Sequence, residues 1–235
     1  MSILPRALLN SSAKLARLLP MQPCLLCGAF TRHGIWCRAC ADALPYLDMP
    51  HCPRCALPTP GGEVCGQCLK RPPEFDRTVA AFIYAFPIDR LAQALKYNGR
   101  LLLADALADE LARRIDILPD CIIAMPLHPA RLAQRGFNQS AELAKRLAAR
   151  TGKPLLLHAC QRVRDTPPQT ALDERERHRN VRRAFDCTVD LSGKHVAVTD
   201  DVMTSGASLN ELASVLRRAG AAEISVWVVA RTLPK

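Results

Sequence analysis

The sequence predicts an α/β protein with a mainly parallel sheet flanked by helices, preceded by a small cysteine-rich module. From about residue 78, apolar strand-like runs alternate with helical stretches, which is typical of a parallel sheet. In the first third of the chain, eight of the 11 cysteines fall in four CxxC pairs. We therefore expect an N-terminal helix over 1–20, the cysteine module over 21–70 and the α/β domain over 78–235.

Length and composition limit the number of domains and the class of protein. The 235 residues, 25.8 kDa in mass, suffice for one large domain or two unequal ones. Hydrophobic residues make up 49% and charged residues 23%, which excludes collagen-like and wholly disordered chains. A run of about 18 uncharged apolar residues is missing, so we expect no transmembrane helix. The net charge of +10 favours anionic partners such as phosphates or nucleic acid.

Residues 3–19 bear on the cellular location of the protein. Residues 3–19 can be drawn as a short amphipathic helix, for which packing on the protein's own body is favoured over a membrane surface. The same stretch lacks the compact apolar core and the small-residue cleavage site of a signal peptide. We therefore expect a cytoplasmic protein without membrane contact. In that reducing compartment, CxxC pairs bind metal rather than form disulfides.

The cysteine pairs form a repeat, since the second copy follows the first after 28 residues with identical internal spacing. Four thiolates on two tight turns can surround one tetrahedral ion, and their softness favours zinc. We expect two structural zinc ions, one within each copy; an iron–sulfur cluster, unligated cysteines and cross-braced pairing remain alternatives. The first cysteine set is Cys24, Cys27, Cys37 and Cys40, and the second cysteine set is Cys52, Cys55, Cys65 and Cys68.

The α/β domain is read from its apolar patterns. Asn98-Gly99 breaks a helical stretch that follows the first strand, and Asn138 or Ser140 can cap a later helix. Gly220 ends the last helix. The predicted strands are 78–86, 121–125, 194–200 and 223–230, and the last helix covers 207–219.

A phosphate site is predicted at the end of the 194–200 strand. Asp200 and Asp201, the acid pair, can accept hydrogen bonds from sugar hydroxyls. Backbone N–H groups and hydroxyls at the start of the following helix can hold a phosphate. This phosphate loop comprises Thr204, Ser205, Gly206, Ala207 and Ser208. An ordinary strand–turn–helix connection is the alternative, but the acids and the loop together favour a site for ribose 5-phosphate.

Basic residues support a polyphosphate ligand at the same end of the sheet. Arg131 and Arg135 are four residues apart, so they share a face if that stretch is helical. The guanidinium fork matches phosphate oxygens. Lys96 is a further candidate, and a solvated basic face is the alternative for the two arginines.

The chain resembles the ComF (ComFC-like) family, in which a double zinc ribbon precedes a type I phosphoribosyltransferase domain. The resemblance covers nearly the whole chain from Cys24 onward. It rests on the zinc pairs, on the acid pair with its loop, and on further matching stretches. These stretches are LKYNGR (95–100), MPLHPARLAQRGFNQS (125–140) and TPPQTALDERERHRNV (166–181).

The resemblance implies roles for individual residues. The acid pair would hold the ribose hydroxyls of phosphoribosyl pyrophosphate (PRPP), often with Mg²⁺, and the phosphate loop would hold the 5-phosphate. His128, in the loop after the 121–125 strand, would lie at the pyrophosphate. Residues 164–181 would cover the site, with Gln169 and Arg175 as candidates for contact, although a solvated helix explains that charged stretch equally well. Asp200, Asp201 and Arg135 are the candidates for a catalytic role.

Three functions remain open on the sequence. The first is a pentosyl-transferring phosphoribosyltransferase with an unknown acceptor. The second, implied by the family's link to genetic competence, is the uptake or processing of single-stranded DNA together with other DNA-uptake proteins. An aromatic content of 5% is low for a base-stacking surface, although arginines cluster at Arg162, Arg164, Arg175, Arg177, Arg179, Arg182 and Arg183. The third is a PRPP-sensing regulator.

Overall fold

The computed structural model describes residues 21–32, 34–98, 101–165 and 181–234. The chain divides into two compact units, Met1–Leu44 and Pro45–Lys235. The first unit contains the first cysteine set. The second unit contains the second cysteine set together with the sheet.

The elements alternate as the sequence predicts. The described strands are β1 (Gln22–Pro23), β2 (Phe30–Thr31), β3 (Arg77–Ile83), β4 (Cys121–Ala124), β5 (Cys160–Arg162), β6 (Phe185–Cys187), β7 (His195–Met203) and β8 (Glu223–Arg231). The described helices are α1 (Arg38–Asp42), α2 (Gly66–Lys70), α3 (Ile88–Asn98), α4 (Leu101–Ala112), α5 (Pro129–Arg135), α6 (Gln139–Thr151) and α7 (Ala207–Arg218).

The main sheet has four strands in the order β3-β8-β7-β4, and every neighbouring pair is parallel. The central strands β7 and β8 are almost wholly buried, as expected for a sheet covered by helices. Helix α6 packs on β4 and β7, and α4 packs on α6 and β8. This architecture, with cysteine-rich ribbons on its N-terminal side in the chain, confirms the predicted fold class.

Strand β7 extends further than predicted. The sequence predicts its end at Asp200, before the second acid, whereas the strand continues to Met203. The reason is its pairing with β8, which continues in register as far as Met203 opposite Arg231. The acid pair therefore lies within the last residues of the strand rather than in a loop.

Short elements complete the described part of the domain. The conditional prediction of a helix around Arg131 is confirmed by α5, which starts after His128 and stops at Gly136. The antiparallel hairpin of β5 and β6 is not predicted. Its two strands flank residues 166–180, so Gln169 and Arg175 lie outside the described residues.

Candidate functional site

The acid pair and the phosphate loop come together at the carboxyl-terminal end of β7. A pocket there is lined by Asp200, by residues 202–204 and by residues 206–209 at the start of α7. Asp201 is buried, with 3% of its surface exposed, while Asp200 is partly exposed to the pocket. Parallel sheets place ligands at this edge, so the pocket lies where the sequence predicts it.

Gly206 shapes the phosphate loop. Its φ of +77° lies in the left-handed region, which glycine adopts without strain. A β-carbon at this position would approach the Met203 Cε atom to 2.8 Å. Gly206 also caps α7, and Ser205 Oγ accepts from the Ala207 N–H at 3.4 Å. The loop thus turns tightly enough to present the first N–H groups of a 12-residue helix to the pocket.

The acid pair is held by one cation and one hydroxyl. Lys96 Nζ lies 2.7 Å from Asp201 Oδ2, so α3 brings Lys96 to the acid pair. Ser140 Oγ donates to Asp200 Oδ1 at 2.7 Å. Burial, and then the charge of Asp201, raises the pKa of Asp200 to about 7, although Ser140 and Lys96 oppose the shift.

Helix α6 places Ser140 on the acid pair. Its N-cap residue, Asn138, accepts from the backbone N–H groups of Ser140 and Ala141 at 2.9 and 3.3 Å. The side-chain amide of Asn138 also donates to the carbonyl of Met125, just after β4, at 3.0 Å. One asparagine thus ties the end of β4 to the start of α6 and fixes the position of the buried Ser140 hydroxyl.

Of the predicted pyrophosphate residues, Arg131 and Arg135 lie on α5, and His128 is its N-cap residue. Arg131 Nε and His128 Nδ1 lie 3.6 and 3.9 Å from the Asp165 carboxylate. Arg135 Nη1 instead donates to the buried Gln139 Oε1 at 2.5 Å, which links α5 to α6. The first two residues thus share an acidic neighbour, while Arg135 supports the junction of the two helices.

Arg162 on β5 belongs to the same basic group. Its guanidinium lies 5.5 Å above the ring of Phe185, and only 8% of the residue is exposed. Burial, and then the charge of Arg131, lowers the pKa of Arg162, whereas Asp200 and Asp165 oppose the shift. Arg162 is buried, so it does not add to an exposed arginine patch, although the sequence groups it with other arginines.

Each cysteine set brings its own four sulfur atoms together. Within each set the four sulfur atoms lie within 4.8 Å of one another, and Cys27–Cys37 and Cys55–Cys65 are 3.7 and 3.6 Å apart. Four thiolates around one zinc ion at about 2.3 Å have their sulfurs about 3.8 Å apart. The sets therefore fit one ion each, within one repeat as predicted. The cross-braced pairing is wrong, and the space is too small for a multi-iron cluster.

Backbone N–H groups favour the charged form of one thiol in each set. Burial raises the pKa of Cys52, but hydrogen bonds from the backbone of Cys65, Cys55 and Arg54 outweigh it and bring the pKa to about 7. Cys24 in the first set follows the same pattern, with a pKa of about 6. Stabilised thiolates are the ligands that zinc requires.

Sequence reasoning missed two residues that hold the site in place. The sequence predicts Ser140 only as a possible helix cap, although the NQS stretch that contains it is part of the family resemblance. Arg231, the last residue of β8, hydrogen-bonds to the backbone beside the phosphate loop. A lone arginine at the end of an apolar strand gives no local signal of that role.

The fold and the site together define an α/β protein with a pocket at the carboxyl-terminal end of β7 and with two four-cysteine clusters that each fit one metal ion. The double zinc ribbon domain family matches residues 15–69. The DNA utilization protein YhgH of Escherichia coli K12 is 37% identical over 221 residues, which covers 89% of this chain and 97% of that protein. Competence protein F of Haemophilus influenzae is 32% identical over 212 residues and 90% of its length. The chain belongs to the ComF family.

Other likenesses are more distant. Competence protein ComFC of Bacillus subtilis is 22% identical over 238 residues, covering 89% of this chain and 95% of that protein. The glutamine PRPP amidotransferase of B. subtilis has a TM-score of 0.37 at 22% identity, over 53% of this chain and 25% of that one. A Pyrococcus horikoshii purine phosphoribosyltransferase has a TM-score of 0.32 at 20% identity, over 66% and 77%. At such TM-scores, neither structure adds weight to the assignment.

In the described part of the chain, no helix is both long and apolar enough to cross a membrane.

Proposed function

We propose that the protein binds PRPP with Mg²⁺ at the end of β7. The observation that carries this proposal is the pocket that Asp200 shares with Thr204, Gly206, Ala207 and Ser208. The start of α7 offers N–H groups to the 5-phosphate, and the acid pair offers carboxylates to the ribose hydroxyls. Carboxylates together with ligand phosphates are the oxygen donors that Mg²⁺ prefers, and its charge would offset that of the pyrophosphate.

The basic residues around the pocket fit the remainder of such a ligand. Lys96 neutralises Asp201, so the acid pair does not repel an incoming anion with its full charge. Arg131 on α5 and the buried Arg162 on β5 provide guanidinium groups that would neutralise a pyrophosphate extending toward them from the ribose. In a transfer reaction a nucleophile would form a bond to ribose C1 as the bond from C1 to the pyrophosphate oxygen breaks, and these cations would stabilise the charge on the departing pyrophosphate.

Calorimetry with PRPP and Mg²⁺ tests the site. We expect saturable binding that is abolished by the double substitution Asp200→Ala and Asp201→Ala. PRPP is a polyanion, so removal of two carboxylates would strengthen binding if they acted only through their charge. Loss of binding therefore reports direct contact. Retained binding in the double variant would refute the assignment.

A matched control separates contact from net charge. Asp48→Ala and Asp116→Ala remove the same two charges from exposed ion pairs with Arg114 and Arg77. We expect this variant to bind PRPP at least as well as the unmodified protein does. Consumption of PRPP with a candidate nucleobase then distinguishes an enzyme from a PRPP-sensing protein.

A second function, the handling of single-stranded DNA, is favoured by three exposed arginines near the base of the β5–β6 hairpin. Arg164 Nη1 donates to the backbone carbonyl of Arg182, so Arg164, Arg182 and Arg183 lie close together. The names of the relatives refer to DNA utilization and competence. Such a patch would contact the phosphate backbone, with an affinity that falls as salt rises.

Fluorescence anisotropy with a labelled oligothymidine tests this second function. Each lost phosphate contact should lower the slope of log affinity against log salt by about 0.7 for single strands. We expect Arg164→Ala with Arg182→Ala to weaken binding and flatten that slope. The control substitutions Arg90→Ala and Arg113→Ala, also at exposed arginines, should change neither. Salt-independent binding, or equal effects of both pairs, would exclude the patch.

A further inference from the structure

Arg231 connects the second cysteine set to the phosphate loop. Its guanidinium is buried, with 5% of the residue exposed. On one side, Arg231 Nε donates to the backbone carbonyl of Cys55 at 2.7 Å. On the other side, Nη1 donates to the carbonyl of Met203 at 3.0 Å and to that of Thr204. One side chain thus joins a metal-ligand residue to the first residue of the phosphate loop.

The register of the sheet explains this position. Arg231 is the last residue of β8 and pairs with Met203 on β7 and with Ile83 on β3. It therefore lies at the same edge of the sheet as the pocket. A buried guanidinium is strongly unfavourable unless its N–H groups have acceptors. The carbonyls of Cys55, Met203 and Thr204 supply those acceptors. The position of the guanidinium therefore depends on both the cysteine turn and the phosphate loop.

The turn between Cys52 and Cys55 is fixed to the sheet at three successive carbonyls. Thr78 on β3 donates through its N–H to Pro53 at 2.9 Å and through its hydroxyl to Arg54 at 2.5 Å. Arg231 takes the third carbonyl, that of Cys55. Cys52 and Cys55 also belong to the same buried core as Met203. The second cysteine set is therefore part of the domain that carries the pocket.

We propose that Arg231 couples metal binding at the second cysteine set to ligand binding at the phosphate loop. An ion held by this set fixes the Cys55 carbonyl, Arg231 transmits that position to the Met203 and Thr204 carbonyls, and the loop stays in its binding geometry. This coupling rests on the proposed function. Because thermodynamic coupling is reciprocal, a bound ligand must also strengthen the retention of the metal.

Zinc competition with a chelating dye measures this reciprocity directly. The full chain with Cys24→Ser and Cys27→Ser loses the first site, so the zinc it retains reports only on the second cysteine set. We expect saturating PRPP and Mg²⁺ to raise the dye concentration for half-release about fivefold or more. Direct extraction of zinc by the pyrophosphate would act in the opposite direction. Unchanged release from a protein that binds PRPP in calorimetry overturns the coupling.

Arg231→Lys tests the residue itself. A lysine keeps the positive charge, but its ammonium cannot reach Cys55 and the loop carbonyls together as the guanidinium fork does. We expect weaker PRPP binding and loss of the protection of zinc, while the second set still binds one ion. Arg217→Lys is the control, because Arg217 makes a similar fork to Glu74, Asp76 and Ala221 elsewhere in the same unit.

The outcomes separate the two proposals. Absence of PRPP binding to the unmodified protein contradicts the proposed function and removes the basis for the coupling. Binding with protected zinc in the unmodified protein, and with unprotected zinc in Arg231→Lys, supports both. Should Arg231→Lys fail to fold, the dye titration of the variant without the first site still decides the coupling. If PRPP still protects zinc in a folded Arg231→Lys variant, the coupling runs through other residues and the proposed role of Arg231 is wrong.

Discussion

At the scale of single residues, burial and a like-charged neighbour act together on Asp200. Both raise its pKa, to about 7, while Ser140 and Lys96 reduce the shift. A carboxyl whose pKa is raised on folding binds more protons in the native state than in the unfolded state. The free energy of unfolding therefore falls as pH rises from its ordinary pKa of 3.8 to about 7, and levels off above that value.

We accordingly expect Asp200→Asn to stabilise the fold increasingly between pH 5 and 7. The comparison is the free energy of unfolding of the variant minus that of the unmodified protein, measured by denaturant titration at each pH. Effects that the zinc sites have on both proteins cancel in this difference. A difference that is constant over this range would show that Asp200 is ionised throughout it.

Gly206 supplies a second prediction at this scale. Gly206→Ala forces a left-handed alanine, at about 1–2 kcal/mol, and pushes its β-carbon against Met203. Gly152→Ala, at the end of α6, has a similar φ of +67° but meets no atom within 4 Å. We expect thermal melts to show destabilisation of both variants and calorimetry to show weaker PRPP binding only for Gly206→Ala. Equal affinities would show that the loop does not contact the ligand.

At the scale of secondary structure, the start of α6 supplies the hydroxyl that favours the ionised form of Asp200. Ser140→Ala removes the hydrogen bond to Asp200, and a bond to a charged group contributes about 1.5–3 kcal/mol. If PRPP and Mg²⁺ bind the ionised form of Asp200, the affinity of the Ser140→Ala variant at pH 7 should be lower by about tenfold or more. The loss of affinity should be smaller at pH 8. Ser214→Ala on α7 is the control. An unchanged affinity would separate Ser140 from the ligand site.

The sequence predicts the long elements well because their signals are local. Apolar runs give β3, β4, β7 and β8, and Asn138 and Ser140 are the two cap candidates for α6, of which Asn138 is the N-cap residue. The hairpin of β5 and β6 has only three residues in each strand, with polar positions in both, so its periodicity is too short to read. The end of β7 depends on its pairing with β8, which adjacent residues do not encode.

The candidate site is predicted to a similar extent. Asp200 and the phosphate loop come together at the carboxyl-terminal end of β7, where the sequence places them, whereas Lys96 reaches the acid pair from the last turn of α3. Arg135 is turned to Gln139 rather than grouped with Arg131, a packing choice between α5 and α6 that residue spacing does not determine. Arg231 acts across more than 170 residues of sequence on Cys55, so only the folded chain reveals it.

At the scale of the whole molecule, the two cysteine sets differ in their surroundings. The second set shares the buried core of the sheet domain, whereas the first lies in the other compact unit. We expect elemental analysis to find two zinc ions per chain. The double substitution Cys52→Ser and Cys55→Ser removes a metal site that lies in the core. It should therefore lower the free energy of unfolding of the main thermal transition by about 2 kcal/mol or more.

The matched variant is Cys24→Ser with Cys27→Ser, which should leave that transition nearly unchanged while removing one zinc ion. Both melts are followed by circular dichroism, since the signal of the sheet domain dominates there. Equal shifts of the transition in the two variants would contradict an unequal role of the two sets. Iron in place of zinc would contradict the identity of the metal.

The most direct test of the account is hydrogen exchange of the backbone amides with and without PRPP and Mg²⁺. The central claim is that the phosphate lies on the first N–H groups of α7, beside the acid pair. Binding should therefore slow exchange at residues 204–209 more than at any other segment of the sheet domain. Saturating ligand that leaves these amides unchanged, or that protects a different edge of the sheet, would contradict it.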